Sequence, residues 1–96
     1  MSEVSAVGAE VEVWIDQDEC TGDGFCVQES PDMFEHDIDG LAYVRDVNGL
    51  LQASRGARVP VPPALLEEVR TAARGCPGDC IYVRRIDTGA VVAGPE

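Results

Sequence analysis

The sequence predicts a small α+β fold, antiparallel strands with two helices, and three stretches carry that expectation. Residues Glu10–Asp16 set Val11, Val13 and Ile15 on one face at period two, the pattern of a half-buried strand. Leu65, Leu66, Val69, Ala72 and Ala73 recur at three- and four-residue steps, which makes one apolar face of a helix. Ile81-Tyr-Val-Arg84 alternates again, with Ile81 and Val83 turned inward.

The remaining elements follow in chain order. Asp18-Glu-Cys-Thr-Gly-Asp-Gly-Phe-Cys26 reads as a turn-rich loop with two glycines. Val27 to Phe34 is expected to form a short helix bounded by Ser30-Pro31, and His36–Gly40 a turn before a short strand at Leu41–Val44. Residues 45–60 show no period and are expected to be loop, with Leu50-Leu51 a single helical turn. Pro62-Pro63 sits where a helix tolerates proline, and Glu67-Glu68 lie near its positive end. Arg70 and Arg74 fall in the last turns, and Gly75 is expected to stop the helix. A chain of 96 residues makes one domain, 1–96, with a core about 10–86 and a loose Gly- and Ala-rich tail at 87–96.

The net charge is −11, and it is unevenly placed. Residues 1–44 hold twelve of the eighteen acids and no arginine or lysine; residues 45–96 hold six acids and all seven arginines. Such a chain is repelled by phosphate backbones and anionic membranes, so nucleic acid and membrane are excluded as partners. It suits a partner with a basic docking face, although acidity also serves solubility alone. The start Met1-Ser-Glu-Val lacks the basic and apolar runs of a signal peptide, so a cytoplasmic protein is expected. In that compartment structural disulfides are rare, and cysteines point to metal or redox chemistry.

Cys20 and Cys26 lie six apart in the glycine-containing loop, and Cys76 lies fifty residues further on, before Pro77. An iron–sulfur cluster takes thiolates, because sulfur matches its soft iron. It also needs backbone N–H groups aimed at its sulfides, which Gly22 and Gly24 allow by letting the chain pass closely. The same glycines would serve a plain turn. Cys80, in Cys76-Pro-Gly-Asp-Cys80, reads as a small buried apolar residue beside the site, with a substitute ligand or a disulfide partner as the sharper alternatives.

Taken together, Cys20-Thr-Gly-Asp23-Gly-Phe-Cys26 and Cys76-Pro77 resemble the C-x2-C-x2-C and remote C-P pattern of bacterial-type ferredoxins, with Asp23 in the central slot. Val13-x-x-Asp16, Pro31-x-x-Phe34 and Asp37-x-Asp39-Gly40 are similar to the single-cluster ferredoxins of actinomycetes that serve cytochrome P-450 monooxygenases. The resemblance covers roughly residues 11–44 and 64–84. It implies a ferredoxin-like fold: a small antiparallel sheet with two helices on one side, strands 10–16 and 80–85 paired, and the cluster at one edge. Phe25, Val27, Leu65, Val69 and Ile81 would screen that cluster from water. Phe25 is a candidate partner contact as well as a core residue.

The implied ligands are Cys20, Cys26 and Cys76. Asp23 departs from the family pattern. Without a fourth protein ligand the site would hold 3Fe–4S, the form that family members lacking the central cysteine commonly hold, and so the preferred expectation. With the Asp23 carboxylate on a fourth iron it would hold 4Fe–4S. The implied function is one-electron transfer and not catalysis. A monomeric carrier would take electrons from a flavin-containing ferredoxin reductase and pass them to a cytochrome P-450 type monooxygenase.

Other readings of the same residues fit less well. Structural zinc favours C-x2-4-C pairs, whereas the first pair here is C-x5-C; a non-redox zinc-stabilised binding module is the alternative from another class. A Ca²⁺ loop starting at Asp16 fails, since Thr21 stands where glycine is needed and Val27 where the bidentate Glu is needed. His36, the one histidine, lies in an acidic turn with no nucleophile beside it and reads as a surface residue.

Overall fold

The computed structural model describes residues 10–22, 24–46 and 48–95. Two small antiparallel sheets and two helices share one core. Strand β1 (Val11–Ile15) opens the chain, and β6 (Ile81–Arg85) pairs with it in full, from Val11 opposite Arg85 to Ile15 opposite Ile81. The expected pairing of the two alternating stretches is therefore present. Their inward residues, Val11, Val13, Ile15, Ile81 and Val83, are all buried.

Helix α2 (Leu66–Gly75) follows a 3₁₀ turn at Pro63–Leu65 and packs against β6. The helix forms where the periodicity put it. Proline stands in the first turn, where its missing N–H costs nothing, and Glu67 and Glu68 complement the dipole. Val69, Ala72 and Ala73 are its buried stripe.

Several expectations are corrected. The expected helix from Val27 to Phe34 is the five-residue α1 (Phe25–Glu29), and Phe34 instead starts strand β2 (Phe34–His36). Ser30 ends α1 with its N–H on the Cys26 carbonyl, and a turn at 31–33 follows. The expected single sheet is two. The second runs β2, β3 (Ala42–Arg45) and β4 (Leu51–Gln52), with β1 and β3 in contact between the sheets.

The segment 45–60 is not all loop. Leu51 belongs to β4, and Val59–Pro60 forms β5, paired to Val13 and Glu12 at the edge of the first sheet. An edge strand tolerates proline because its missing N–H is not needed inward. Residues 88–95 are not loose either. Val91–Ala93 forms β7 against β6, giving the sheet order β5-β1-β6-β7. Gly94, at φ +85°, then lies so close to Ile81 that a Cβ would stand 2.0 Å from its carbonyl oxygen.

The outer face of the first sheet carries a row of rings and charge. Trp14 and Tyr82 stack at 5.3 Å between centroids, and the Arg58 guanidinium lies 3.9 Å over Trp14. The acidic first half of the chain is joined to the second by ion pairs: Glu10–Arg85, Glu12–Arg58, Asp18–Arg55 and Glu35–Arg45.

Candidate metal centre

Two chain segments meet at one corner of the fold. The first leaves β1 at Asp16, whose N–H donates to the Cys80 carbonyl at 2.8 Å. The Asp16 carboxylate accepts from the Asp18 N–H, and its carbonyl from the Glu19 N–H, so a tight turn presents Cys20. Gly22 and Gly24 both adopt positive φ, +71° and +86°. A Cβ on Gly22 would stand 2.7 Å from the Gly40 carbonyl oxygen, so only glycine lets this loop lie against the 37–40 turn. Gly24 caps α1 in the left-handed conformation, and α1 buries Cys26.

The second segment follows α2. Gly75 ends the helix, as expected, and the chain turns extended at Cys76 before Pro77. The reason for glycine here is space. A Cβ would fall 2.2 Å from the Phe25 ring, which lies on the helix end. A turn closes with the Asp79 N–H on the Cys76 carbonyl, Asp79 taking φ +49°. Gly78 is equally constrained, since a Cβ would stand 2.4 Å from the Glu19 carbonyl oxygen. The two segments therefore interlock at two glycines, Gly78 on the Glu19 backbone and Gly75 on the Phe25 ring.

Cys26 and Cys80 are core residues, and Cys20 and Cys76 are half-buried against the same core. The Cys80 sulfur lies 3.4 Å from that of Cys76. Burial pushes the Cys80 thiol pKa strongly up, as do the Cys76 sulfur beside it and the neighbouring Cys20. At 1 % exposure, Cys80 is the small buried neighbour the sequence suggested. Asp23, the expected central slot, lies outside the described residues.

Thiols are the donors that iron–sulfur clusters take, so the donor set fits such a group. A single tetrahedral zinc would draw its sulfurs to about 3.8 Å apart, given bonds of about 2.3 Å. Among the described residues, no group of three or more His, Cys, Asp or Glu side chains is placed to hold a metal ion.

Gln17 escaped the sequence reading. It is buried, and its amide donates to the Ala42 carbonyl at 3.1 Å and accepts from the Gly56 N–H at 2.8 Å. It ties the Cys20 loop to the second sheet. Glutamine beside a Cys-bearing loop has no motif that would have marked it. Gly78 could have been found, because glycine directly after Cys-Pro signals a close approach.

The family model described as the 4Fe-4S single cluster domain matches residues 13–83. The chain belongs to the single-cluster ferredoxins. It is 36% identical over 69 residues to "Ferredoxin" of Bacillus subtilis, covering 72% of this chain and 77% of that protein. It is also 36% identical over 73 residues to "Ferredoxin-2" of Streptomyces griseolus, covering 74% and 94%. Among solved structures, ferredoxin 1 of Hydrogenobacter thermophilus matches with TM-score 0.63 at 27% identity, over 79% of this chain and 99% of that one. A "[3Fe-4S] ferredoxin associated with CYP194A4 from R. palustris HaA2" matches with TM-score 0.56 at 28% identity, over 72% and 89%.

As a ferredoxin, the protein is an electron carrier with one iron–sulfur cluster as its cofactor. No helix among the described residues is long and apolar enough to cross a membrane.

Proposed function

We propose that this ferredoxin holds its cluster on Cys20, Cys26 and Cys76 and transfers single electrons from a flavin-containing reductase to a cytochrome P-450 type monooxygenase in the cytoplasm. The observation that carries the reading is the corner where two segments interlock at Gly75 and Gly78, with Cys20 of the first segment neighbouring Cys80 of the second and Cys80 touching Cys76. When bound, the cluster supplies a site that accepts and releases one electron.

The chain's own residues exclude water and set the environment. Val69 and Ile81 are fully buried, Leu65 nearly so, and Val27 packs on the same core. Apolar walls and N–H donors to sulfur tune a cluster's potential. With Asp23 in the central slot, the preferred form is 3Fe–4S, a reading supported by the three-iron relative. A second reading, 4Fe–4S with the Asp23 carboxylate on the fourth iron, is favoured by the four-iron description of the family.

EPR of the oxidised protein tests the choice, since oxidised 3Fe–4S is paramagnetic and the resting 4Fe–4S state is silent. Asp23→Cys should convert a three-iron into a four-iron cluster. An unchanged three-iron signal would remove Asp23 from the argument. A colourless protein with zinc would overturn the carrier itself in favour of a metal-stabilised binding module.

The electron acceptor is expected to present a basic face, and the carrier to act as a monomer. Glu19 and Glu29, which take no salt bridge among the described residues, are the acids on the two sides of the Cys20–Cys26 loop. Asp18 pairs with Arg55 at 2.8 Å across an exposed surface, which reduces its part in steering. Glu19→Gln with Glu29→Gln should slow electron transfer at low salt more than Asp18→Asn does. Equal rates in all three proteins would argue against acid-steered docking.

A further inference from the structure

Cys80 has no place in a three-cysteine ligand set, yet its sulfur lies 3.4 Å from that of Cys76 and its side chain is almost wholly buried. We propose that Cys80 is a reserve ligand for the same iron that Cys76 holds, and not the donor for the missing fourth corner. The inference rests on the reading that Cys76 is a cluster ligand.

Spacing distinguishes the two roles. Two sulfurs on one tetrahedral metal, with bonds of about 2.3 Å, lie about 3.8 Å apart. Sulfurs on different irons of a cluster are held further apart by the cluster between them. At 3.4 Å, a hydrogen-bonding contact between thiols, Cys76 and Cys80 stand slightly closer than the one-iron spacing and too close together to serve two different irons. While Cys76 occupies that iron, Cys80 is excluded from it. Once the Cys76 position is vacant, Cys80 needs only a small side-chain movement to fill it.

The backbone favours this exchange. The Asp79 N–H on the Cys76 carbonyl fixes the turn, and the Asp16 N–H on the Cys80 carbonyl anchors Cys80 to the loop that presents Cys20. Ile81 is held opposite Ile15 in the strand register, so the movement belongs to the Cys80 side chain and not to β6. In the exchange the Cys80 thiol releases its proton to solvent as its sulfur binds iron. No electron is gained or lost.

The test compares Cys76→Ala, Cys80→Ala and the double variant after anaerobic reconstitution with iron and sulfide. Iron and acid-labile sulfide per chain are measured alongside the EPR of oxidised and reduced samples. Cys80→Ala should keep the wild-type content and spectrum. Cys76→Ala should keep its cluster with an altered spectrum, and the double variant should lose about tenfold or more of its iron. A Cys76→Ala protein as empty as the double variant overturns the proposal, as does equal retention in both, which would mean that solvent fills the corner.

If Cys76→Ala does not fold, Cys76→Ser is compared with Cys76→Ser plus Cys80→Ala. Sulfur-to-iron absorption should fall only when Cys80 is also removed, and its equality in the two overturns the proposal. Wild-type protein without iron would instead overturn the ligand reading beneath it.

Discussion

Residues in the body of the protein meet through side chains, and residues at the sulfur-bearing corner meet largely across glycines, where backbone lies against backbone or a ring. In the body, Val13, Val83 and Val69 are fully buried in one apolar cluster that also takes Phe34 and Val44 from the second sheet. Its stability is a matter of area removed from water and of packing density. At the corner, the contacts are Gly22 on Gly40, Gly78 on Glu19 and Gly75 under the Phe25 ring, and no side chain can be added at any of them without displacing a neighbour. A body of this kind folds on its own apolar surface. The corner is built on turns, and a bound cluster would add cohesion there.

Removing the iron should separate the two regions most sharply. Hydrogen exchange at Cys20, Cys26 and Gly78 should rise by roughly tenfold or more, while Val13 and Val83 change little. Equal acceleration throughout would show that the body also depends on the cluster. Next in size, Phe34→Ala should destabilise the whole chain by about 3–5 kcal/mol, since Phe34 is fully buried. Denaturant unfolding measures it, and a cost below about 1 kcal/mol would mean that the core repacks freely.

Gly78→Ala should do the opposite, lowering iron content while leaving the far-UV dichroism of the apoprotein unchanged. A Cβ there meets the Glu19 carbonyl oxygen, and only the corner can give way. Retained iron would show that the two segments can part without losing the site. The smallest effect concerns Asp39, whose carboxyl pKa is lowered, first by the Tyr43 hydroxyl at 2.6 Å and then by the Leu41 N–H. A depressed carboxyl contributes stability above its unfolded value of about 3.9, and loses it as pH falls through the folded one. Tyr43→Phe should therefore move the Asp39 titration upward by NMR, and no movement would break the assignment.

The same comparison accounts for what could be read from the chain. β1, α2 and β6 repeat long enough for a period to show, and they build the body. β4 and β5 are two residues each, too short for any period, and Pro60 argues locally against a strand that only its edge position permits. β7 was hidden because its pairing depends on Gly94 lying against Ile81, a tertiary contact. At the corner, the resemblance to the ferredoxin cysteine pattern named Cys20, Cys26 and Cys76 as the expected ligands. That Cys80 would turn its sulfur onto Cys76 was not legible, because it follows from the left-handed Asp79 and the hydrogen bond from Asp16. Gly75 ends α2 as the sequence predicts, and the space it leaves for the Phe25 ring is a second reason for glycine that only the structure shows. A helix-stopping turn and a space under a ring call for the same residue.

The pairing of β1 with β6 has a consequence for the timing of maturation. Ile15 stands opposite Ile81, so the two segments of the corner come together only when strands at opposite ends of the sequence have zipped. A chain still being synthesised has its first two cysteines long before it has their counterparts across the sheet. On the proposed ligand set, cofactor loading would follow translation of the sixth strand, and the nascent chain would have to keep its early thiols reduced until then.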